Sequence, residues 1–259
     1  MSEVLVAGGV RAVVDPQRGA RLVSLTFDGH EVLGHADDVG AAGESIGVGA
    51  YPMVPWAGRV RDGVIEHAGT THQLPREPEG NALHGLGRDA VWTHDGDGRF
   101  SVDLGDPWPE PGTATLDYVV RDDGLDVTLT WTPDTDTGLG CSLGLHPWFR
   151  REIDGVQVEA SLDPDLMVER GPDGLPTGSL VPPAAPPWDD CFRLATPPRL
   201  VWPGVLDLEL ASSAPWWVVF TEPTGAVCVE PQTTPPDSWV HRELAPERPS
   251  SLAFSITRT

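Results

Sequence analysis

The chain of 259 residues contains no lysine, so all 17 of its basic residues are arginines. This absence excludes mechanisms built on a lysine Schiff base, including those of pyridoxal-phosphate enzymes, and it excludes a P-loop. The arginines are outnumbered by 39 Asp and Glu residues, which gives a formal net charge of −22. Proteins that wrap nucleic acid or bind anionic membranes depend on cationic residues, so neither is an expected partner.

Cysteine is scarce, and long hydrophobic runs are absent. Cys141, Cys191 and Cys228 are odd in number and far apart, with no Cys-x-x-Cys or zinc-ribbon spacing. No apolar run approaches membrane-spanning length, and the first residues lack the basic and apolar regions of a signal peptide. The sequence therefore predicts a cytoplasmic protein with reduced thiols.

Glycine and proline, by contrast, are abundant, with 29 and 27 residues, and the longest stretch free of both runs only from Thr113 to Asp123. Such frequent interruption leaves little room for ordinary helices, whereas strands fit between the breaks. Apolar residues alternate with polar ones in several segments, which predicts strands with one buried face. These segments are Leu125–Trp131, Val156–Leu162, Leu206–Leu210 and Leu252–Ile256.

Turn signals join several of the predicted strands. Asp28-Gly29 follows Leu22–Phe27 and predicts a tight hairpin, and Asp122-Asp123-Gly124 predicts a second connection of this kind. The unbroken apolar runs Trp216–Phe220 and Val227–Val229 are typical of strands at the covered centre of a sheet. Many short strands at close spacing favour an antiparallel sandwich or barrel.

One segment is especially rich in breakers. Residues Gly171–Pro187 include nine Gly or Pro residues, and the strand pattern is alike on both sides of them. This predicts a long loop over a single domain that spans residues 1–259, and not a linker. Whether the loop has a role beyond covering the surface is left open.

Four clusters place polar residues in apolar, tryptophan-containing surroundings. Glu230 directly follows a predicted buried strand, where desolvation raises the pKa of a carboxyl toward values useful for a general base. Asn81 is the only asparagine in the chain. The four clusters are Tyr51–Val60, Asn81-Ala-Leu-His84-Gly85, Gly144–Phe149 and Cys228–Asp237.

Taken together, these clusters resemble the aldose 1-epimerase (galactose mutarotase) family over roughly Tyr51 to Trp239. The most specific elements are Asn81-Ala-Leu-His84-Gly85, His146-Pro147-Trp148-Phe149 and Glu230-Pro231-Gln232-Thr233. The resemblance implies a large antiparallel β-sandwich of the galactose mutarotase-like type, a supersandwich with few short helices. It also implies interconversion of the α and β anomers of a free hexose such as glucose or galactose.

The resemblance also implies roles for individual residues. Glu230 matches the family's general base, His146 its general acid and His84 its second active-site histidine. The matching substrate-binding residues are Arg59 and Asp189, although the adjacent Asp190 leaves the second assignment open by one residue. Asn81 and Trp148 complete the predicted substrate-binding set, and Trp148 and Trp56 are both candidates to stack on the sugar ring.

Anomer exchange suits one carboxylate and one imidazole. The base removes the proton of the C1 hydroxyl while the acid protonates the ring oxygen, and ring closure on the other face reverses these roles. We expect the two groups to approach opposite sides of the bound ring. The reaction requires no cofactor and no metal, and the expected partner is a small aldose.

Three alternatives stay open at this stage. The first is a hexose-6-phosphate 1-epimerase, in which Arg150 and Arg151, or Arg59 and Arg61, would form a cationic pocket. The second is a metal enzyme that uses two histidines and one glutamate, although no His-x-His pair accompanies them. The third is a sugar-binding module without turnover. The sequence is equally compatible with a monomer and a homodimer.

Overall fold

The computed structural model describes residues 1–35 and 48–259, and strands dominate both ranges. Within these ranges the helical structure is confined to single 3-10 turns at Pro16–Arg18, Arg61–Gly63 and Arg242–Leu244. The prediction of an all-β fold with few short helices is confirmed, because glycine and proline interrupt the chain too often for longer helices. Over the same residues, no helix is long and apolar enough to cross a membrane.

The strands form two large antiparallel sheets. In the described part of the chain, eleven strands make the first sheet, in the order β1-β2-β3-β5-β14-β24-β23-β20-β18-β19, with β4 paired to β3. Their bounds are β1 Glu3–Ala7, β2 Val10–Asp15, β3 Arg21–Phe27, β4 His30–Glu31, β5 Ala50–Met53, β14 Gly144–Arg150, β18 Pro164–Arg170, β19 Pro176–Val181, β20 Asp189–Leu194, β23 Trp216–Phe220 and β24 Ala226–Gln232.

The second sheet has eight strands among the described residues, in the order β10-β11-β12-β13-β25-β22-β21-β17. Their bounds are β10 Thr93–Gly96, β11 Arg99–Leu104, β12 Gly112–Arg121, β13 Gly124–Pro133, β17 Glu159–Ser161, β21 Arg199–Trp202, β22 Leu206–Ser212 and β25 Ser251–Arg258. The remaining strands form two-stranded pairs, namely β6 Arg59–Val60 with β9 Ala82–Leu83, β7 Val64–His67 with β8 Thr70–Gln73, and β15 Glu152–Ile153 with β16 Val156–Gln157.

A single apolar core lies between the two sheets and makes them a sandwich. It contains Phe27 of the first sheet together with Leu129 and Leu208 of the second, all fully buried. The ring of Trp217 in β23 meets that of Phe254 in β25 edge to face across this core, with 6.3 Å between ring centroids. The alternation predicted for β13, β22 and β25 is confirmed, because their apolar residues all point into this layer.

Both predicted hairpins are confirmed. Thr26 pairs with Glu31 and Phe27 with His30, which leaves Asp28-Gly29 as a two-residue turn. Both turn residues have positive φ, at 49° and 91°, as expected for a turn that matches strand twist. In the second connection Arg121 pairs with Gly124, so Asp122-Asp123 forms the turn.

The prediction of a loop over Gly171–Pro187 is wrong in part. Residues Pro176–Val181 form the edge strand β19. In its pairing with β18, Val181 lies opposite Met167 and Pro176 lies opposite Arg170. Proline is tolerated here because Pro176 is the first residue of an edge strand, where no ladder hydrogen bond needs its missing N–H.

The alternation over Val156–Leu162 is also not one strand. It divides into β16 and β17, and Ala160 in β17 is exposed because β17 is the last strand of its sheet. An edge strand lacks a neighbour on one side, so its apolar positions are covered less completely than those of a central strand.

Strand β24 lies at the centre of the first sheet and is buried along its whole length. Val227 and Val229 face the core between the sheets, whereas Cys228 faces the other side, together with Trp148 of β14. Side chains alternate along a strand, so Glu230 shares the face of Cys228. This confirms the prediction that Val227–Val229 is covered on both faces. Trp216–Phe220 is covered less completely, because Val218 and Phe220 are partly exposed. The alternation places polar residues on the outer face of the first sheet.

Candidate active site

A cavity of about 290 Å³ opens on the outer face of the first sheet. This volume is at the lower end of the range for small-molecule sites. The cavity collects most of the site residues predicted from the sequence. Those that line it are Arg59, His84, His146, Trp148, Asp189, Asp190 and Glu230.

His146 and Glu230 meet in this cavity. The register of β14 and β24 pairs Gly144 with Gln232 and Trp148 with Cys228, so His146 and Glu230 lie opposite each other between these pairs. The imidazole Nε2 is 3.2 Å from the carboxyl Oε1. The two groups are therefore adjacent and reach the cavity from the same side, which corrects the expectation that they approach opposite sides of a ring.

Aromatic rings fix the orientation of the His146 imidazole. Tyr51 stacks on one face, with 4.7 Å between ring centroids and an interplanar angle of 28°. Trp148 stacks on the imidazole at 5.2 Å and 13°, and His84 meets it edge to face at 5.0 Å. With its ring held in this way, His146 keeps Nε2 directed at Glu230. Trp148 thus packs against the imidazole and also lines the cavity.

Burial shifts the titration of all three groups away from their charged forms. Burial and the negative charge of Asp189 raise the pKa of Glu230 well above its ordinary value. Burial, reinforced by the charge of Arg21, lowers the pKa of His146 to about 3. Burial and the neighbouring His146 lower the pKa of His84 well below its ordinary value. For His146 and Glu230 alike, burial therefore favours the neutral form of the side chain.

The short pair of strands β6 and β9 brings Arg59 next to His84. Arg59 pairs with Leu83, and the backbone N–H of His84 donates to the carbonyl of Gly58 at 3.0 Å. Gly85 turns the chain with a φ of 79°, and a Cβ there would lie 2.2 Å from the carbonyl oxygen of Val54. Only glycine permits this approach, which explains why glycine follows His84 in the motif.

Asp189 and Asp190, at the start of β20, share one arginine. Nη1 of Arg170 lies 3.2 Å from an oxygen of Asp189, and its Nε lies 2.8 Å from an oxygen of Asp190. Burial raises the pKa of Asp189, while the charges of Arg59 and Arg170 oppose that shift. The negative charge of Asp189 raises the pKa of Glu230, and both side chains line the cavity, so Asp189 is a charged neighbour of the proposed base.

Other predicted site residues lie elsewhere. Asn81 is not among the lining residues, and its Oδ1 accepts a hydrogen bond from the backbone N–H of Asp62 at 3.1 Å, which supports a turn. Trp56 is buried in the core, stacked on Trp108 with ring centroids 5.6 Å apart. Trp56 therefore cannot stack on a ligand in this cavity.

Arg150 and Arg151 also lie outside the cavity, at a separate surface hollow. Arg151 donates from Nε and Nη2 to backbone carbonyls, including those of Pro223 and Thr221 at 2.8 and 2.6 Å. Arg151 follows His146 by five residues but does not reach the cavity, because β14 ends at Arg150 and Arg151 lies beyond the end of the strand.

Three lining or supporting residues were missed as site residues in the sequence. Gln232 is fully buried on the face of Glu230, and its position two residues along the same strand could have revealed it. Tyr51 opens one of the four clusters but gave no sign that it stacks on His146. Arg170 has no sequence signal at all, because only the pairing of β18 with β20 brings it to Asp189.

One group of side chains in this site has the composition of a metal site. In the described ranges, a ligand atom from each of His146, Cys228 and Glu230 lies within 4.8 Å of the others, and all three residues are buried.

The chain is similar to known proteins of one family. The family model described as aldose 1-epimerase matches residues 4–244. No curated protein matches the chain as a relative. The solved structure of a galactose mutarotase-like protein from Clostridium acetobutylicum matches with a TM-score of 0.81 at 17% identity, over 99% of this chain and 94% of that chain.

Two further solved structures have the same fold. Galactose 1-epimerase from Lactobacillus acidophilus matches with a TM-score of 0.76 at 17% identity, over 100% of this chain and 94% of that chain. The GalM/aldose epimerase homologue from C. elegans matches with a TM-score of 0.75 at 17% identity, over 100% of this chain and 99% of that chain. The predicted galactose mutarotase-like sandwich is confirmed, and because the family model covers nearly the whole chain, the protein belongs to the aldose 1-epimerase family.

Proposed function

We propose that the protein interconverts the α and β anomers of a free hexose such as glucose or galactose, with Glu230 and His146 as the proton-transfer pair. The observation that carries the proposal is the 3.2 Å contact between Nε2 of His146 and Oε1 of Glu230 on the wall of a sugar-sized cavity. A base and an acid at hydrogen-bond distance from each other can serve two neighbouring substrate atoms at once.

The pair needs only its one shared proton. When the proton resides on His146, Glu230 is a carboxylate able to act as base and His146 is an imidazolium able to act as acid. Burial favours the neutral form of each group, so transfer of one proton from Glu230 to His146 converts the neutral pair into the carboxylate and imidazolium that the reaction needs.

Ring opening then balances without a cofactor. Glu230 removes the proton of the C1 hydroxyl, the C1–O5 bond breaks to give the aldehyde, and His146 delivers its proton to O5. Both oxygens are bonded to C1, so adjacent catalytic groups on one side of the ring suit this transfer. After rotation about C1–C2, closure on the other face of the aldehyde reverses both proton transfers and yields the other anomer.

Arg59, Asp189 and His84 are proposed to hold the hydroxyl groups of the sugar. Arg59 and Asp189 supply charge-assisted hydrogen bonds, and the neutral imidazole of His84 supplies an uncharged one. Trp148 and Phe220 give the cavity apolar walls against which the ring can pack.

The arrangement favours a free sugar over a hexose 6-phosphate. Arg150 and Arg151 lie away from the cavity. Arg170 is paired with two aspartates, and Arg61 is paired with Asp173 and Asp237 at 2.6 and 3.2 Å. A phosphate would therefore meet more carboxylate than unpaired cationic charge.

A polarimetric assay tests the proposal. Freshly dissolved α-glucose and α-galactose should reach their equilibrium rotation faster with the protein than in buffer alone, and Glu230→Gln should remove most of the acceleration. Equal rates with and without protein would refute turnover of these sugars. A sugar titration that showed binding without acceleration would then favour the non-catalytic module. Faster turnover of glucose 6-phosphate than of glucose would favour the phosphorylated substrate instead.

The remaining expectations accompany this proposal. The three cysteines are free and buried, in keeping with the reduced thiols expected for a cytoplasmic protein. The cytoplasmic location and the choice between monomer and homodimer stay predictions, which cell fractionation and light scattering would test.

A further inference from the structure

Cys228 is fully buried beside the proposed active site, does not itself line the cavity, and takes no part in the proposed reaction. It precedes Glu230 by two residues on β24, so both side chains lie on one face of the sheet. Across the sheet, β14 pairs Trp148 with Cys228 and supplies His146 on the same face. One ligand atom from each of Cys228, His146 and Glu230 lies within 4.8 Å of the other two.

These three side chains offer the nitrogen, sulfur and oxygen donors that zinc prefers. A tetrahedral ion with bonds of about 2.0–2.3 Å separates its donor atoms by about 3.3–3.8 Å. Nε2 of His146 and Oε1 of Glu230 are already 3.2 Å apart. One donor atom from each of the three residues lies within 4.8 Å of the others, so Sγ of Cys228 has to approach by up to about 1.5 Å to complete three corners of a tetrahedron.

The charge and burial of the three side chains also favour a divalent ion such as zinc. His146, Cys228 and Glu230 are all buried, and an uncompensated charge at this depth is costly. One thiolate and one carboxylate cancel the charge of a divalent cation, so the occupied site would be neutral. The second carboxyl oxygen of Glu230, Oε2, is buried without a hydrogen-bond partner among the residues that the structure describes, so it can also turn toward a cation.

We propose that Zn²⁺ binds between His146, Cys228 and Glu230, leaves its fourth coordination position toward the sugar cavity, and thereby inhibits the protein. Binding of the ion follows from the donor geometry alone. Inhibition rests on the proposed function, because the ion would occupy both groups that transfer protons. The entry path is the cavity itself, which His146 and Glu230 line.

Cobalt spectroscopy tests the site without any assay of turnover. Co²⁺ is added to tag-free protein that has been treated with a chelator and dialysed. We expect one equivalent to produce tetrahedral d–d bands and a near-ultraviolet thiolate-to-cobalt charge-transfer band, and Zn²⁺ to displace both. Wild-type protein that gives no thiolate band would overturn the proposal, and this result depends on no variant.

Two cysteine variants assign the thiolate. Cys228→Ser should abolish the charge-transfer band and weaken Zn²⁺ binding in calorimetry by at least about 10–100-fold, since even partners outside the first coordination shell contribute that much. Cys191→Ser is the matched control, because Cys191 is also buried and lines the cavity but is not one of the three clustered donors. Equal loss of the band in both variants, or its retention in Cys228→Ser, would contradict the assignment. Cys228→Ala serves as the second variant if serine prevents folding.

Inhibition is then measured by polarimetry. Stoichiometric Zn²⁺ should suppress turnover by the wild type, chelation should restore it, and Cys228→Ser should keep its turnover but lose the sensitivity to Zn²⁺. Equal inhibition of wild type and Cys228→Ser would overturn inhibition through this site. If the wild type turns over no sugar at all, the proposed function fails, while the cobalt spectrum still decides whether the metal site exists.

Discussion

Strands β24 and β13 lie in the two sheets of the same sandwich, yet their polar side chains differ in exposure to solvent. In β13 the buried Leu125, Val127 and Leu129 alternate with partly exposed residues such as Thr128. In β24 all seven residues are buried, including Glu230. One strand has a wet face and the other has none.

The difference decides what a carboxylate can do. Asp126 in β13 is about half exposed and contacts Arg121 at 2.8 Å, as an ordinary surface ion pair does. Glu230 is 2% exposed and faces a neutral imidazole, so its pKa is raised by loss of water. Surface pairs contribute little free energy, whereas a desolvated carboxyl beside an acid partner is suited to proton transfer. The second sheet supplies stability, and the outer face of the first supplies chemistry.

The largest expected effect comes from Glu230→Gln, which keeps the shape of the side chain and removes the proposed base. We expect kcat to fall by about 10²–10⁴-fold, equivalent to about 3–5 kcal/mol in the activation free energy. Polarimetry measures the loss, and thermal unfolding should show that the fold persists. Glu209→Gln, at a partly exposed position of β22, is the control and should leave kcat unchanged. Near-normal turnover by Glu230→Gln would exclude Glu230 as base.

Leu129→Ala tests the second sheet instead, by truncating one of its core side chains. Leu129 is fully buried in the core between the sheets, so truncation should lower the free energy of unfolding by about 2–5 kcal/mol. Urea denaturation measures this loss. Thr128→Ala, on the other face of β13, should change it by less than about 0.5 kcal/mol. Below the unfolding transition, kcat and KM of Leu129→Ala should match the wild type. A selective loss of kcat would show that the two sheets do not divide stability and chemistry as we infer.

Arg59→Ala should weaken sugar binding more than it slows the reaction. Loss of one charge-assisted hydrogen bond, worth about 1.5–3 kcal/mol, should raise KM by about 10–150-fold with a small change in kcat. Steady-state polarimetry over a range of sugar concentrations separates the two constants. Arg99→Ala on β11, which removes only an exposed pair with Asp117, is the control. If kcat alone falls, Arg59 acts in the transition state.

Asp189→Asn should have the smallest effect and should appear mainly in the pH profile. The negative charge of Asp189 raises the pKa of Glu230, so its removal lowers that pKa, and the pair loses its last proton at lower pH. The alkaline limb of kcat/KM should therefore move toward neutrality, and KM should rise by about fivefold. Asp207→Asn on β22 should move neither. An alkaline limb that stays in place would show that Asp189 does not act on Glu230.

Local patterns in the sequence predicted much of the fold because they depend on neighbours in the chain. Alternation over Leu125–Trp131 follows from the two-residue period of a strand, and the Asp28-Gly29 turn follows from positive φ at two residues. The same reasoning failed at Gly171–Pro187, because pairing with β18 stabilises an edge strand despite Pro176 and Gly178. β18 and β19 are neighbours in the chain, but the glycine and proline residues in and around β19 hid its strand pattern.

In the candidate site, too, sequence motifs identified some residues correctly and misplaced others. Glu230, His146 and His84 could be named from the sequence, because the motifs around them are specific to one family. Asn81 belongs to such a motif, yet it supports a turn next to the cavity, since its amide bonds to the backbone of Asp62. Arg150 follows the His146 motif and still lies outside the cavity, because it is the last residue of β14 and four strand residues separate it from His146 by about 13 Å.

The sequence by itself determined that this chain is all-β, that it belongs to a sugar-epimerase lineage, and which carboxylate and imidazole to consider. Composition, two-residue periodicity and short motifs are local properties, so they survive without coordinates. Only the tertiary structure decided that Glu230 and His146 touch, that Tyr51 and Trp148 enclose the imidazole, and that Arg170 holds Asp189. Those contacts join β5, β14, β18, β20 and β24, and distances between strands far apart in the chain are set by sheet order and packing.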